Sequence, residues 1–311
     1  MSKVTVVGAG NVGATVANVL AHKDIVNEVV LLDLLGDMAK GKALDSWQQA
    51  PIDYYSTKLK GTDDYKDTAD SDIVVITAGI PRKPGMSRDD LISTNAKIVV
   101  SVVKSILEHS KNPIIIVVSN PLDVMSYAAF KAAGIASSKV FGMAGILDTA
   151  RYRAFLATAL DVSPKDIQAV LMGGHGDTMV PLPRYTTVAG IPVTEMIEEV
   201  ELDAIVERTK KGGGELVKLM GTSAWYAPGA AAAQMVEAIV KDENRIFPVC
   251  AWLTGEYGIN DMYLGVPVKL GKGGIKEILE LKLNEEEKAS LENSKDHVAA
   301  VMDTFKGMNL V

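Results

Sequence analysis

Val4-Thr5-Val6-Val7-Gly8-Ala9-Gly10-Asn11-Val12-Gly13 decides how the first half of this chain folds. Val4–Val7 is a short β-branched run and predicts a strand; the periodic apolar positions from Val12 to Ala21 predict a helix. Where they meet stand three glycines, each answering a different steric demand. Gly8 permits a tight turn, Gly10 lets the backbone approach a bound group, and Gly13 lets helix and strand pack closely. The helix start offers free N–H groups and the positive end of a dipole, a seat for phosphate.

Asp33 ends the next apolar run, about 20 residues after Gly13. A carboxylate there can accept hydrogen bonds from an adenosine ribose and would repel a 2′-phosphate. Leu34-Leu35 supply no arginine to neutralise it. The expected ligand is therefore NAD and not NADP, with Gly8, Gly10, Asn11, Val12, Gly13 and Asp33 as candidate binding residues. The alternative is a plain strand–turn–helix with an aspartate on a loop; strand, glycines, helix and acid agreeing together favours the nucleotide.

Outward from this unit, short apolar runs alternate with amphipathic stretches. Strands are predicted at Val29–Leu32, Ile73–Thr77, Ile114–Val118 and Val140–Met143, and helices at Asp37–Gln49, Asp89–His109 and Leu122–Ala133. Strands apolar throughout indicate a parallel sheet covered on both faces, and right-handed crossovers make it a doubly wound, Rossmann-type α/β domain. The second half predicts strands at Ile167–Met172, Pro183–Ile191, Phe247–Leu253 and Met262–Val268. Its helices are predicted at Val193–Lys210, Ala227–Lys241 and Asn284–Phe305, which reads as an α+β catalytic domain. The boundary is expected near Gly145, giving an NAD-binding domain over 1–145 and a substrate domain over 146–311. Gly212-Gly213-Gly214 is expected to be a loop or a helix start.

Composition narrows the class. The 311 residues carry 32 Lys and Arg against 39 Asp and Glu, a net charge of −7. With no basic block, nucleic acid or an anionic membrane is a poor partner, although local arginines can still bind a small anion. Cys250 is the single cysteine, so neither an internal disulfide nor a thiolate metal cluster is possible. It is expected to be a small buried hydrophobe, and no metal is expected. No run approaches the ~20 apolar residues needed to span a bilayer. A cytoplasmic protein is expected.

Chemistry-bearing residues gather in four further stretches. His175 lies in Gly173-Gly174-His175-Gly176-Asp177, just past an apolar strand. A histidine among glycines has no helical face to pack on; it is either a satisfied turn residue or a reacting group. Asp148-Thr149-Ala150-Arg151 puts a carboxylate and a guanidinium on one helix face. That pair suits orienting a histidine and gripping a carboxylate, or it is an ordinary intrahelical ion pair. Arg82 and Arg88 flank a Pro/Gly-hinged loop at the carboxyl end of a strand, which reads as a lid for an anion or as a solvated basic loop. Asn120 in Ser119-Asn120-Pro121 ends another strand, where it can bind ligand or form a turn.

Taken in order, Gly8–Gly13, Asp33, Thr77–Gly85, Arg88, Val118-Ser119-Asn120-Pro121, Asp148–Arg151 and Gly174–Asp177 resemble the lactate/malate dehydrogenase family, on the lactate-dehydrogenase-like branch of its malate enzymes. The resemblance implies His175 as general acid/base, Asp148 as its orienting partner and Arg151 as the grip on a C1 carboxylate. It implies Arg88 as polariser of the C2 carbonyl, Asn120 as a substrate and nicotinamide contact, and Asn95, Val118 and Ser119 as further NAD contacts. Family members are commonly homotetramers or homodimers; a homotetramer is expected, with the helical surface from Leu44 to Trp47 resembling a subunit contact.

Arg82 decides the substrate. Similar lactate dehydrogenases carry Gln there and malate dehydrogenases carry Arg. A guanidinium closed over pyruvate would be buried without a partner, whereas the second carboxylate of oxaloacetate pairs it, worth roughly 10³-fold or more. Ala224, where the lactate enzymes tend to have Thr, leaves room and agrees. The expectation is reversible NAD-dependent oxidation of (S)-malate to oxaloacetate, with a small dicarboxylate as the substrate. The alternatives are a lactate or broad 2-hydroxy-acid dehydrogenase and, more distantly, a non-catalytic NAD-binding module. Arg153 resembles half of the sugar-bisphosphate site of some lactate dehydrogenases, but its expected histidine partner is Tyr185, so no such activation is expected. The N-terminal arm of some relatives is also expected to be absent.

Overall fold

The computed structural model describes residues 2–81, 87–308 and 310, with the Arg88 side chain left out. Alternating elements run β1 (Lys3–Val7), α1 (Asn11–Lys23), β2 (Glu28–Leu32), α2 (Gly36–Gln48), α3 (Ala50–Asp53), β3 (Lys58–Thr62) and β4 (Ile73–Ile76). They continue with α4 (Arg88–His109), β5 (Ile114–Val117), α5 (Leu122–Ala133) and β6 (Val140–Gly142). These six strands are parallel, in the order β3-β2-β1-β4-β5-β6. The strand order reverses between β1 and β4, so the loops at their carboxyl ends part and leave a crevice there. The central strands are buried on both faces, as their uninterrupted apolar runs require. The Rossmann-type expectation is met.

The fold departs from expectation where the sequence pattern is not purely apolar. β3, with the sequence Lys-Leu-Lys-Gly-Thr, was not predicted because it is an edge strand; alternating polar residues face water there, protecting the open edge. In the second half α6 (Gly145–Leu160) leads into β7 (Ile167–Gln168) and β8 (Leu171–Met172), which belong to different small sheets. The single strand expected at Ile167–Met172 is thus broken in the middle. β9 (Val180–Pro181) pairs with β8. The strand expected over Pro183–Ile191 is a 3-10 turn at Pro183–Tyr185 followed by β10 (Thr187–Val188) and β11 (Ile191–Pro192). Ala189 and Gly190, with φ of 50° and 89°, close that hairpin, the left-handed pair a two-residue loop demands.

α7 spans Glu199–Met220, starting later and ending later than the predicted helix. Gly212-Gly213-Gly214 lies inside it, neither loop nor helix start. α8 (Tyr226–Val240), β12 (Arg245–Thr254), β13 (Asn260–Gly271), β14 (Gly274–Ile278) and α9 (Glu285–Lys306) complete the chain. β12, β13 and β14 form an antiparallel meander that joins β6 through Cys250 and Gly142. Among the described residues one nine-stranded sheet therefore runs through both halves of the chain. The extension places the second-half elements alongside the carboxyl ends of β5 and β6, where the site forms.

Candidate active site

The three glycines of the first turn differ as the sequence predicts. Gly8 has φ of 104°, and a Cβ there would lie 2.6 Å from Thr77 Oγ1. A Cβ on Gly13 would fall 1.8 Å from the Gly8 carbonyl oxygen, so only glycine lets α1 cross β1 this closely. A Cβ on Gly10 would meet nothing within 4 Å; that position faces open space. No side chain caps α1 and its first turn holds no acid, leaving its N–H groups and dipole for an anion. Asp33 accepts from the Ala9 N–H at 2.6 Å through one carboxylate oxygen and from the Leu35 N–H at 2.9 Å through the other. Lone pairs remain on both oxygens for a ribose. Asp33 and Gly10 open on a cleft of about 570 Å³ that runs between β2 and α4 past Tyr65 and Ile98. An open glycine cradle, an uncapped helix end and a braced carboxylate at the mouth fit a dinucleotide.

On the other side of the glycine turn lies a second cleft, of about 330 Å³, lined by Val12, Val118, Asn120, Arg151 and His175. His175 sits in the loop between β8 and β9. The glycines around it are there for contact: a Cβ on Gly173 would lie 2.6 Å from Ser294 Oγ, and one on Gly174 would lie 2.6 Å from Val298 Cγ2. The Gly174 N–H donates to Ser294 Oγ at 2.8 Å, and Gly173 exchanges backbone hydrogen bonds with Gly265 of β13. α9 and β13 thereby pin the loop from two sides.

Asp148, 2% exposed in the first turn of α6, is shared. Its Oδ2 lies 2.8 Å from His175 Nδ1 and its Oδ1 accepts from Arg151 Nη1 at 2.9 Å. Asp148, buried, thus pairs both with the half-buried His175 and, as an intrahelical ion pair, with Arg151. Burial lowers the pKa of His175, but the Asp148 charge and hydrogen bond, with a smaller push from Asp123, more than offset it; the net shift is upward. Arg151 lines the cleft, and its Nε is buried without a hydrogen-bond partner among the described residues.

Asn120 is exposed in the cleft beside His175, and its peptide bond to Pro121 is cis. Val118 lines the same cleft, its N–H donating to the Ile76 carbonyl. Ser119 is buried and donates to the Ala78 carbonyl at 2.6 Å, tying the ends of β4 and β5 together. Asn95 is 2% exposed; its Oδ1 accepts from the Ile80 N–H, and its Nδ2 donates to the carbonyls of Ile80 and Asn120. Its amide braces the two strand-end loops. Arg82 lies outside the described residues. Arg88 begins α4, one residue after its N-cap Ser87, which forms a capping box with Asp90, and its side chain lies outside what is described.

Sequence reasoning missed the contribution of α7. Lys210, Gly213 and Gly214 line the cleft, and Gly212 packs on Arg151, where a Cβ would lie 3.3 Å from Arg151 Cδ. A triple glycine inside an amphipathic helix costs about 1 kcal/mol per residue against alanine, and that anomaly was the available signal. Ser223, beside Ala224, also lines the cleft and carried no signal.

A Rossmann-type NAD crevice that meets an Asp–His pair and a spare guanidinium defines the class of NAD-dependent 2-hydroxy-acid dehydrogenases. Residues 2–142 match the family model of the lactate/malate dehydrogenase NAD-binding domain, and residues 146–308 match that of the lactate/malate dehydrogenase α/β C-terminal domain. The chain belongs to the lactate/malate dehydrogenase family. It is 67% identical to a malate dehydrogenase of Cytophaga hutchinsonii over 98% of both chains. Its fold is similar to the crystal structure of malate dehydrogenase from Salinibacter ruber, with TM-score 0.95 and 55% identity over 98% of each chain. It is also similar to the lactate dehydrogenase of Cryptosporidium parvum complexed with lactic acid and NAD, with TM-score 0.94 and 36% identity over 98% of each chain. The fold is therefore common to both substrate types, and side chains in the site must choose between them.

Proposed function

We propose that this chain catalyses the reversible NAD-dependent oxidation of (S)-malate to oxaloacetate. The observation that carries the reading is the Asp148 carboxylate shared between His175 Nδ1 and Arg151 Nη1, at 2.8 and 2.9 Å. With Nδ1 held, Nε2 is the nitrogen left to take the C2 hydroxyl proton. Asp148 stabilises the imidazolium that results, as in other Asp–His pairs. The remaining Arg151 donors grip the C1 carboxylate in a fork and thereby orient C2. Arg88 polarises the C2 oxygen, Arg82 meets the C4 carboxylate, and Asn120 hydrogen-bonds the substrate from the β5 end. NAD, when bound, supplies the two-electron acceptor for the C2 hydrogen. Val118 and Ser119 shape its seat, and Asn95 acts by fixing the Asn120 carbonyl.

The high identity to a named malate dehydrogenase and the Arg at position 82 support malate over lactate. The test is the ratio of steady-state rates with oxaloacetate and pyruvate, in wild type and in Arg82→Gln. Wild type should favour oxaloacetate by roughly 10³-fold or more, and Arg82→Gln should collapse the ratio. A wild-type preference for pyruvate would overturn the assignment. As part of the same reading the chain is a homo-oligomer, a tetramer or a dimer, supported by Leu44 and Trp47, which are 57% and 39% exposed on α2. Light scattering that finds a monomer would remove this part. Among the described residues no helix is long and apolar enough to cross a membrane. Cytoplasmic placement is proposed from the single cysteine, which suits a reducing compartment.

A further inference from the structure

Behind His175 lies a second acid that the mechanism above does not use. Asp123, in the first turn of α5, is buried. It stands three residues after Asn120, so one strand end delivers both. Its Oδ2 accepts from the His175 backbone N–H at 3.3 Å, and its Oδ1 accepts from Cys250 Sγ at 3.3 Å. Cys250 is thus more than the small hydrophobe expected from sequence: it stands on β12, fully buried, as a donor to this carboxylate. A donor on each carboxylate oxygen favours the ionised form and works against the burial that pushes the Asp123 pKa upward.

The groups facing His175 come from every element around it. Asp148 and Arg151 face it from α6 and Asp123 from α5. Asp177 on its own loop and His297 on α9 line, with Asp123, a cavity of about 50 Å³ against the loop. Lys210 of α7 lines the substrate cleft. Of the acids, Asp148 and Asp123 both favour the charged imidazole, while Arg151 opposes it. Burial pushes the carboxyl group of Asp123 upward and the Cys250 thiol well above its ordinary range, so the thiol remains a neutral donor.

We propose that Asp123 is a second carboxylate for His175: a positioning residue that anchors the catalytic loop through its backbone N–H and places a buried negative charge opposite the imidazolium, with the Cys250 thiol as its partner. This rests on His175 being the acid/base group. Asp148 would fix the ring, and Asp123 the loop that carries it. An isosteric loss of charge at Asp123 should then lower the pKa of His175 without breaking the Asp148 contact.

The test is an NMR titration of the His175 imidazole in the free enzyme, wild type against Asp123→Asn, with pH profiles of both reaction directions alongside. The midpoint should fall by roughly half to one pH unit. Oxaloacetate reduction, which needs the imidazolium, should lose rate at lower pH than in wild type. Malate oxidation, which needs the neutral ring, should reach its plateau at lower pH. A uniform loss of kcat with an unmoved midpoint would mean a merely structural role and overturn the proposal. Should Asp123→Asn fail to fold, Cys250→Ala and Cys250→Ser decide. Alanine removes the donor and should move the midpoint in the same direction by less, whereas serine keeps a donor and should not; an unmoved midpoint in Cys250→Ala overturns the idea. The titration uses no substrate, so a failed malate assignment would show separately, as absence of turnover with the shift intact.

Discussion

The triple glycine inside α7 makes a quantitative prediction about stability traded for space. Three alanine variants separate its parts. Gly213 and Gly214 have nothing within 4 Å of an added Cβ, and both line the cleft that holds His175 and Arg151. Each alanine should therefore stabilise the helix by about 1 kcal/mol, raising Tm by about 2 °C in a chain of this size. The same methyl group narrows the cleft, and a single methylene in such a pocket is worth about 1–3 kcal/mol. kcat/KM for oxaloacetate should fall about 10-fold or more at whichever of the two positions points at substrate. Gly212→Ala differs, because its Cβ would sit 3.3 Å from Arg151 Cδ and 4.0 Å from Phe155 Cε2. The helical gain is then offset by squeezing, Tm should stay near wild type, and displacement of Arg151 should raise KM more than it lowers kcat. Thermal melts and steady-state kinetics measure all of this. Three variants equally stabilised with wild-type kinetics would refute the reasoning, since the glycines would then serve no spatial purpose in the site.

Gly10→Ala should leave Tm unchanged, its φ of −64° suiting alanine, yet weaken NADH in a fluorescence titration; Gly13→Ala, which puts a Cβ 1.8 Å from the Gly8 carbonyl oxygen, should lower Tm through an overpacking cost of about 1–3 kcal/mol or more. His175→Asn should nearly abolish turnover while sparing NADH affinity in the same titration, and full activity would contradict the assigned role. Because the His175 pKa is raised in the fold, the stability its ion pair adds is fully present below the unfolded value near 6.5 and is lost as pH rises through the folded value. The Tm gap between wild type and Asp148→Asn should accordingly be widest at acid pH and narrow on the alkaline side, as followed by melts across that range; a gap independent of pH would contradict this.

The amino-acid sequence by itself determined the parallel half of the sheet, because central strands buried on both faces must be apolar at every position, a pattern legible without neighbours. It also determined the glycine turn and the identities of Asp33, Asp148, Arg151 and His175, since a strand end, a helix i,i+3 spacing and a glycine-flanked histidine are local signals. Edge strand β3 escaped because one of its sides faces water and its residues are polar. The broken stretches at 167–172 and 183–191 escaped because strand propensity says nothing of which sheet a strand joins. Only the tertiary structure decided that Asp148 sits between His175 and Arg151, that Asn95 braces Asn120, that the glycines of α7 make room beside Arg151, and that Asp123 and Cys250 stand behind the catalytic loop. Those relations join residues from different elements, 27 positions apart for Asp148 and His175 and 127 apart for Asp123 and Cys250, and contact at such separation is fixed by packing and not by any pattern along the chain.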